Sequence, residues 1–201
     1  MADYGMSSEE LEQMYQEVIL EASKDPHGKV HFSSGEAENT ENTIGVDSLS
    51  SGESTLQASH EYCVPAQSHQ FNPTCGDEVT VRVEISDGSD GKPQHIEKLI
   101  WDGQGCSISQ ASLSIMVDLV DGKTVDEAME LFRTFHSLME SRGNGLNDDR
   151  LEDTLGDAVA FQGVSRYPMR IKCALLGWEG LKDSMAQALA HMSGDVAGKE
   201  A

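Results

Sequence analysis

The sequence is poor in basic residues and has no long hydrophobic run. It has 14 lysines and arginines against 35 aspartates and glutamates in 201 residues, which gives a formal net charge of −21. This excess of negative charge repels phosphate groups and argues against direct nucleic-acid binding. No apolar stretch approaches the roughly 18 residues of a membrane-spanning helix, and Met1 is not followed by a basic and then hydrophobic signal segment. We therefore expect a cytoplasmic protein that binds neither nucleic acid nor membranes.

Cysteine is also scarce, because the chain has only Cys63, Cys75, Cys106 and Cys173. An even count would allow two disulfides, but nothing else in the sequence is typical of a small secreted scaffold. In a reducing compartment, cysteines more often serve as reactive thiols or metal ligands than as a disulfide framework. We expect free thiols.

The length predicts a single domain over residues 1–201. Ser7 and Glu10 can form a capping box, and the apolar residues that follow at helical spacing predict an amphipathic first helix. Residues 33–59, by contrast, are rich in Ser, Glu, Gly, Asn and Thr and too poor in apolar side chains to offset the entropy of ordering. We interpret them as a flexible acidic insertion, a passive solvated loop rather than a contact surface. We also expect a frayed tail over about residues 191–201.

The middle of the chain predicts strands and the rest predicts helices. Residues 79–85 alternate apolar and polar side chains, residues 94–101 supply a second strand of a hairpin, and a weak strand is expected within residues 61–71. Residues 102–105 predict a sharp turn into Cys106. Apolar spacing and helix breakers predict later helices over residues 107–120, 124–139, 151–161 and 168–190. The expected fold class is α+β, a small antiparallel β-sheet covered by α-helices.

The cysteines and one aspartate suggest a metal centre. Cys75 and Asp77 lie two residues apart on a predicted tight turn, Cys106 lies at a helix entry, and Cys173 lies near the start of the last helix. Each setting can favour a thiolate. Spacing alone is nevertheless a weak signal, because Cys-x-Asp is not the CxxC knuckle of structural zinc sites. On spacing alone, the favoured alternative is that the cysteines are buried and act as small hydrophobic side chains.

Three thiolates and one carboxylate are a suitable donor set for tetrahedral zinc. Their four negative charges exceed the charge of Zn²⁺ by two, and Arg170 and Lys172 could offset part of that excess. A hard carboxylate among soft sulfurs is the ligand that should be released most easily. The chemistry therefore indicates a site where ligands can exchange.

Three ordered motifs resemble a known family. They are residues 72–77 (NPTCGD), 105–112 (GCSISQAS) and 170–178 (RIKCALLGW), and residues 11–20 are similar to the first helix of that family. Together they strongly resemble the SufU-type members of the IscU/NifU-like iron–sulfur cluster assembly family. The resemblance implies the SufU/IscU-like α+β fold. It also implies metal ligands at the four matching positions, listed in chain order: Cys75, Asp77, Cys106 and Cys173.

Two features favour the SufU branch over the scaffold branch. Scaffold members carry a histidine directly before the last cysteine, where this sequence has Lys172, and residues 131–164 resemble an extra segment of SufU proteins. The resemblance implies a zinc-dependent sulfurtransferase that accepts persulfide sulfur on Cys75 from a SufS-type cysteine desulfurase, with Arg170 in a supporting role. A SufBCD-type assembly complex is a further expected partner. The alternatives are a scaffold that carries iron or a [2Fe–2S] cluster on the same ligands, and a structural zinc module.

The remaining candidate side chains carry no predicted site. The seven histidines show no paired metal-ligand spacing, and His95 and His136 are interpreted as strand and core-edge residues. Asp102, Asp118 and Asp157 are interpreted as turn or solvated positions. Cys63 has no ligand-like neighbour in the sequence and is left out of the site.

Overall fold

The computed structural model describes residues 7–34, 43–46, 58–59, 62–89 and 91–198. The helices of this part of the chain are α1 (Ser8–Lys24), α2 (Ser107–Val120), α3 (Val125–Glu140), α4 (Asp149–Leu155) and α5 (Pro168–Gly198). The strands are β1 (His31–Ser34), β2 (Thr43–Val46), β3 (Cys63–Asn72), β4 (Asp77–Ser86) and β5 (Ile96–Gln104). Two short 3₁₀ segments, Gly156–Gln162 and Val164–Arg166, connect α4 to α5.

Strands β3, β4 and β5 form an antiparallel sheet with β4 in the centre. The predicted hairpin of β4 and β5 is confirmed, and the weak strand expected within residues 61–71 is a full ten-residue strand. The turn predicted at residues 102–105 is wrong, because β5 continues to Gln104. Gly103 pairs with Val79, and a Cβ at Gly103 would lie 2.2 Å from the Glu78 carbonyl oxygen. A glycine that normally indicates a turn here lets two strands approach closely.

Helices cover one face of this sheet, which confirms the predicted α+β class. α5 packs across β3 and β4 on the side of Val81 and beside α2. Trp178 of α5 is fully buried and stacks on Phe135 of α3 at a centroid distance of 4.7 Å. A Cβ at Gly177 would lie 2.4 Å from a Leu113 methyl group, so this glycine permits the close approach of α5 to α2. That packing holds α5 against α2, the two helices that carry Cys173 and Cys106 near their first residues.

The opposite face of the sheet is also partly covered. Arg82 and Glu84 on β4 are each only 3% exposed. Phe32 lies against the Arg82 guanidinium at 4.5 Å, and Ser59 donates hydrogen bonds from its backbone N–H and its hydroxyl to Glu84, both at 2.8 Å. Most of the predicted insertion, residues 33–59, lies outside the described residues. Within it, β2 pairs in parallel with β1, a strand that the composition did not predict.

The helix boundaries largely follow the sequence signals. The capping box at Ser7 and Glu10 is confirmed, and the helix expected over residues 151–161 is divided between α4 and a 3₁₀ segment. α5 runs past the predicted end at residue 190 to Gly198, so the described part of the expected tail is helical. No helix in the described ranges is both long and apolar enough to cross a membrane.

Candidate metal centre

The structure brings Cys75, Asp77 and Cys173 together at one end of the sheet. Cys75 lies in the turn between β3 and β4, Asp77 is the first residue of β4, and Cys173 lies in the second turn of α5. One ligand atom from each lies within 4.8 Å of the other two, and the Cys75 and Cys173 sulfurs are 3.1 Å apart. Cys106 is outside this tight set, but its Sγ lies 3.6 Å from Asp77 Oδ2.

Asn72 shapes the turn that carries Cys75. Its side-chain Oδ1 accepts a hydrogen bond from the Thr74 N–H at 3.1 Å, and its carbonyl accepts one from the Gly76 N–H at 2.9 Å. Gly76 has a φ of +73°, a left-handed conformation that glycine adopts without a Cβ penalty. The Asn72 amide then donates to the Cys173 sulfur at 3.4 Å. A single buried side chain thus connects the turn to α5.

Asp77 connects the sheet to α2. Its Oδ1 accepts a hydrogen bond from the Cys106 N–H at 3.0 Å, and Cys106 is the N-cap residue of α2. The positive end of the helix dipole favours a carboxylate at this position. Ser109 donates to the Cys106 carbonyl at 2.9 Å and fills the space beside Gly105, where an added Cβ would lie 2.3 Å from the Ser109 hydroxyl. Asp77 is therefore held through one oxygen while Oδ2 faces the sulfurs.

The thiols of the centre differ in accessibility. Cys75 and Cys106 are exposed, whereas Cys173 is 2% exposed. Burial raises the pKa of the Cys173 thiol well above its usual range, and the neighbouring Cys75 and Asp77 raise it further. A metal ion reverses this preference because it binds the thiolate, so metal binding at Cys173 is coupled to proton release.

The donor set and its spacing fit a tetrahedral zinc ion. Ligand atoms about 2.0–2.3 Å from such an ion lie about 3.3–3.8 Å from one another. The Cys75–Cys173 separation of 3.1 Å and the Cys106–Asp77 separation of 3.6 Å are close to this range. Cys75, Asp77 and Cys173 are close enough to share one ion, and Cys106, which adjoins Asp77, would complete the set if its side chain turned toward them, with Cys75 and Cys106 on the exposed side.

Arg170 and Lys172, the basic residues expected to support the centre, have no contact with its ligands among the described interactions. The Arg170 guanidinium lies 4.7 Å from the centroid of the exposed Tyr167 ring, and Lys172 is exposed. Cys63 lies at the far end of β3, opposite Ser86, and is separate from the centre. The supporting role of Arg170 stays a prediction.

Two polar side chains of the centre, Asn72 and Ser109, were not among the predicted site residues. Asparagine followed by Pro-Thr is a common way to begin an Asx turn, so the local role of Asn72 could have been inferred. Its contact with Cys173 spans 101 residues of sequence and has no local signal. Ser109 falls in the first turn of α2, where a hydroxyl commonly bonds to a nearby carbonyl.

The chain is similar in sequence to two proteins of iron–sulfur cluster biology. The zinc-dependent sulfurtransferase SufU of Bacillus subtilis (strain 168) is 38% identical over 116 residues, which cover 58% of this chain and 71% of that protein. The iron–sulfur cluster assembly scaffold protein IscU of Streptococcus pyogenes serotype M1 is 35% identical over 117 residues, which cover 58% of this chain and 67% of the relative.

Solved structures show the same fold. A candidate iron–sulfur cluster assembly scaffold of the SUF system from Fervidobacterium islandicum AW-1 matches 86% of this chain and 96% of its own, with a TM-score of 0.55 and 28% identity. The N-terminal part of a nitrogen-fixing NifU-like protein from Brucella abortus covers 90% of this chain and 97% of its own, with a TM-score of 0.57. At 20% identity, that match supports the fold alone. Residues 14–174 match the family model of the NifU-like N-terminal domain, and the chain belongs to that family.

Proposed function

We propose that this chain is a zinc-dependent sulfurtransferase of iron–sulfur cluster assembly, which accepts persulfide sulfur from a SufS-type cysteine desulfurase. Cys75, Asp77, Cys106 and Cys173 are the proposed zinc ligands, and Cys75 is the proposed sulfur acceptor. The name and 38% identity of the Bacillus subtilis relative support this choice, as does Lys172 directly before Cys173.

The position of the Cys75 thiol is the observation that carries the proposal. Cys75 lies on an exposed turn, yet its sulfur is 3.1 Å from the buried Cys173 sulfur and within 4.8 Å of Asp77. It is therefore a member of the donor set and can still be reached from outside. Cys106 is also exposed, but its backbone is fixed at the N-cap of α2. We favour Cys75 as the acceptor because it lies in a surface turn rather than at the start of a helix.

The surroundings of Cys75 favour contact with another protein. Tyr167 and Met169 are each more than half exposed and lie at the start of α5. Because Met169 lies one helical turn before Cys173, these two side chains form an apolar rim beside the centre. Exposed apolar side chains grouped beside a reactive site are typical of a docking surface. We assign this rim to the desulfurase, and the sulfur would pass onward to an assembly complex of SufBCD type.

The sulfur transfer itself is a thiol–disulfide type exchange. The Cys75 thiolate attacks the terminal sulfur of the desulfurase persulfide, and a new S–S bond forms on Cys75. The S–S bond of the enzyme persulfide breaks, and the desulfurase cysteine leaves as a thiolate, so no external oxidant or reductant is needed. Bound zinc would hold Cys75 as a thiolate and damp its reactivity before the partner arrives. Asp77 stays positioned throughout by the Cys106 N–H.

A cluster scaffold is the second candidate. The IscU relative of Streptococcus pyogenes and the structure from Fervidobacterium islandicum favour it, and the same four side chains could hold a [2Fe–2S] cluster or iron. A structural zinc module is a third possibility, in which the metal would serve folding only. These alternatives predict different metals and different effects on the desulfurase.

Metal analysis of anaerobically purified protein, combined with a desulfurase turnover assay, separates the three candidates. We expect one zinc per chain and stimulated turnover that is lost in Cys75→Ala, with Cys63→Ala as the matched control that keeps stimulation. A bound cluster that transfers to an apo-acceptor would support the scaffold instead. Zinc with no effect on turnover would support the structural module.

A further inference from the structure

A second group of metal-ligating side chains lies on the face of the sheet opposite the helices. A cavity of about 520 Å³ is lined there by ten residues, which include His31, His69, Glu78 and Asp102. None of these four belongs to the thiolate centre. Two imidazoles and two carboxylates are the nitrogen and oxygen donors that borderline divalent ions such as Zn²⁺ and Co²⁺ accept.

Strand register places these donors on one face. His69 of β3 pairs with Thr80 of β4, and Thr80 pairs with Asp102 of β5. Directly paired residues share a face of a sheet, and so does Glu78, two residues before Thr80. His31 reaches the same place from β1, because its Nδ1 lies 3.4 Å from Asp102 Oδ2. Three strands and the start of the predicted insertion therefore meet at this cavity.

Hydrogen bonds already orient two of the donors. Thr80 Oγ1 lies 3.1 Å from His69 Nδ1, which leaves Nε2 directed toward Glu78 at 3.2 Å. Asp102 is held by a hydrogen bond from the Phe32 N–H at 2.8 Å. In metal sites, a histidine commonly binds the ion through one ring nitrogen while the other nitrogen is held by a hydrogen bond. Thr80 would supply that hydrogen bond for His69, and Nε2 would be the ligating atom beside Glu78.

We infer that this face binds one divalent metal ion of the zinc class through His31, His69, Glu78 and Asp102. His69 and Asp102 lie two strand spacings apart, about 10 Å, a gap that their side chains and those of Glu78 and His31 can close around one ion. His31–Asp102 and His69–Glu78 are separate pairs in the structure, so binding one ion requires the two pairs to move together, and the histidine side chains, 86% and 54% exposed, have room for this movement.

Local charge is compatible with a bound cation. The two carboxylates supply two negative charges, and the cation that lines the same cavity is Lys29. The Lys29 ammonium is engaged elsewhere, 3.0 Å from Gln110 Oε1 and 5.0 Å from the Trp101 ring centroid. An ion at this position would join β1, where the predicted insertion begins, to β5. The bound metal would thus fasten that segment to the sheet.

Anaerobic Co²⁺ titration of the full chain tests this inference independently of the thiolate centre. A cobalt ion with thiolate ligands gives sulfur-to-metal charge-transfer bands, whereas an ion with only nitrogen and oxygen donors does not. We expect two equivalents to bind: one with those bands, and a second that changes only the ligand-field spectrum and the histidine ring signals in NMR spectra.

Substitutions identify the second equivalent. In the double variant His31→Gln/His69→Gln, the second equivalent should be lost while the charge-transfer bands stay unchanged. His69→Gln alone should weaken it about tenfold or more. His136→Gln is the matched control, because His136 is partly exposed on α3 and faces Glu140 at 3.6 Å. A single equivalent in the unmodified chain, or a second equivalent that persists in the double variant, would overturn the inference.

Discussion

Asn72 contributes to two parts of the metal centre at once. Its side chain is 4% exposed, accepts the Thr74 N–H and donates to the Cys173 sulfur. A donor to a sulfur ligand favours its charged form and fixes its orientation. The residue therefore influences both the position of Cys75 and the basicity of Cys173.

We predict that Asn72→Ala weakens zinc binding by about 10- to 100-fold, because it removes both interactions while all four ligands remain. Competition with a chromophoric chelator measures the affinity. Asn144→Ala is the matched control, since Asn144 is exposed and its amide donates only to the Ser141 carbonyl nearby. Equal affinities of the two variants would show that Asn72 does not support the centre.

Cys63 should be the least reactive of the accessible thiols. Burial raises its pKa, and the negative charges of Glu97, Glu84 and Asp87 raise it further. A thiol with a raised pKa forms its thiolate only at higher pH. The rate of alkylation by iodoacetamide should therefore be low at neutral pH and should rise at a higher pH than the rate for free cysteine. Peptide mass spectrometry of metal-free protein measures the rates. A Cys63 profile that coincides with free cysteine would contradict this expectation.

For single residues, the sequence predicts contacts between side chains that are close along the chain. It does not predict contacts between residues that are far apart in sequence. Cys75 and Asp77 share one turn, so their proximity follows from the local pattern. Cys173 lies 98 residues from Cys75, and spacing alone could not place their sulfurs 3.1 Å apart. The family resemblance supplied that expectation. His31 and His69 were missed for the same reason, because strand register places His69, and a contact with Asp102 places His31, at one cavity.

At the scale of elements, the outer face of β4 depends on side chains from outside the sheet. Glu84 is buried, accepts two hydrogen bonds from Ser59 and lies on the same face as the buried Arg82, whose Nε has no hydrogen-bond partner among the residues that the structure describes. Burying a charge is costly unless it is paired and hydrogen-bonded. Residues at the end of the predicted insertion thus stabilise this face.

We predict that Glu84→Ala lowers the free energy of unfolding by about 3 kcal/mol, because it leaves the buried Arg82 charge without its carboxylate neighbour. Urea denaturation measures the change. Glu140→Ala, at a side chain that is 71% exposed, should change stability by less than about 0.5 kcal/mol. A similarly small effect of Glu84→Ala would mean that neither the Arg82 charge nor the Ser59 contact depends on this carboxylate for stability.

The elements themselves could be predicted where local chemistry determines them. The capping box at Ser7 begins α1 as expected, and a capping box at Thr124 begins α3 where that helix was predicted to start. The end of β5 was predicted too early because Gly103 was interpreted as a turn residue, whereas it lets β4 and β5 approach closely. The pairing of β2 with β1 was missed because a polar composition does not reveal hydrogen bonding between short segments.

For the whole molecule, the metal centre joins parts that are far apart in sequence. Its proposed ligands come from the β3–β4 turn, β4, the start of α2 and α5. A ligand that binds only the folded state stabilises it according to its concentration and affinity, by about 4 kcal/mol when free zinc exceeds the Kd about 1,000-fold.

We therefore predict that removing zinc with a chelator lowers the unfolding midpoint, and that adding zinc back restores it. Differential scanning calorimetry measures both steps. The chelated Cys173→Ser variant should show no recovery on adding zinc at concentrations that restore the unmodified chain. A midpoint that is the same with and without zinc would mean that the four side chains do not hold the metal in the folded state.

The most direct test of the proposed function is to locate the transferred sulfur. Zinc-loaded protein is incubated anaerobically with a SufS-type desulfurase and cysteine, and the persulfide is trapped by alkylation and mapped by peptide mass spectrometry. We predict that the additional sulfur is found on Cys75. It should be absent from the Cys75→Ala variant and present in the Cys63→Ala variant. Persulfide mainly on Cys106 or Cys173, or none on any cysteine while turnover is stimulated, would contradict it.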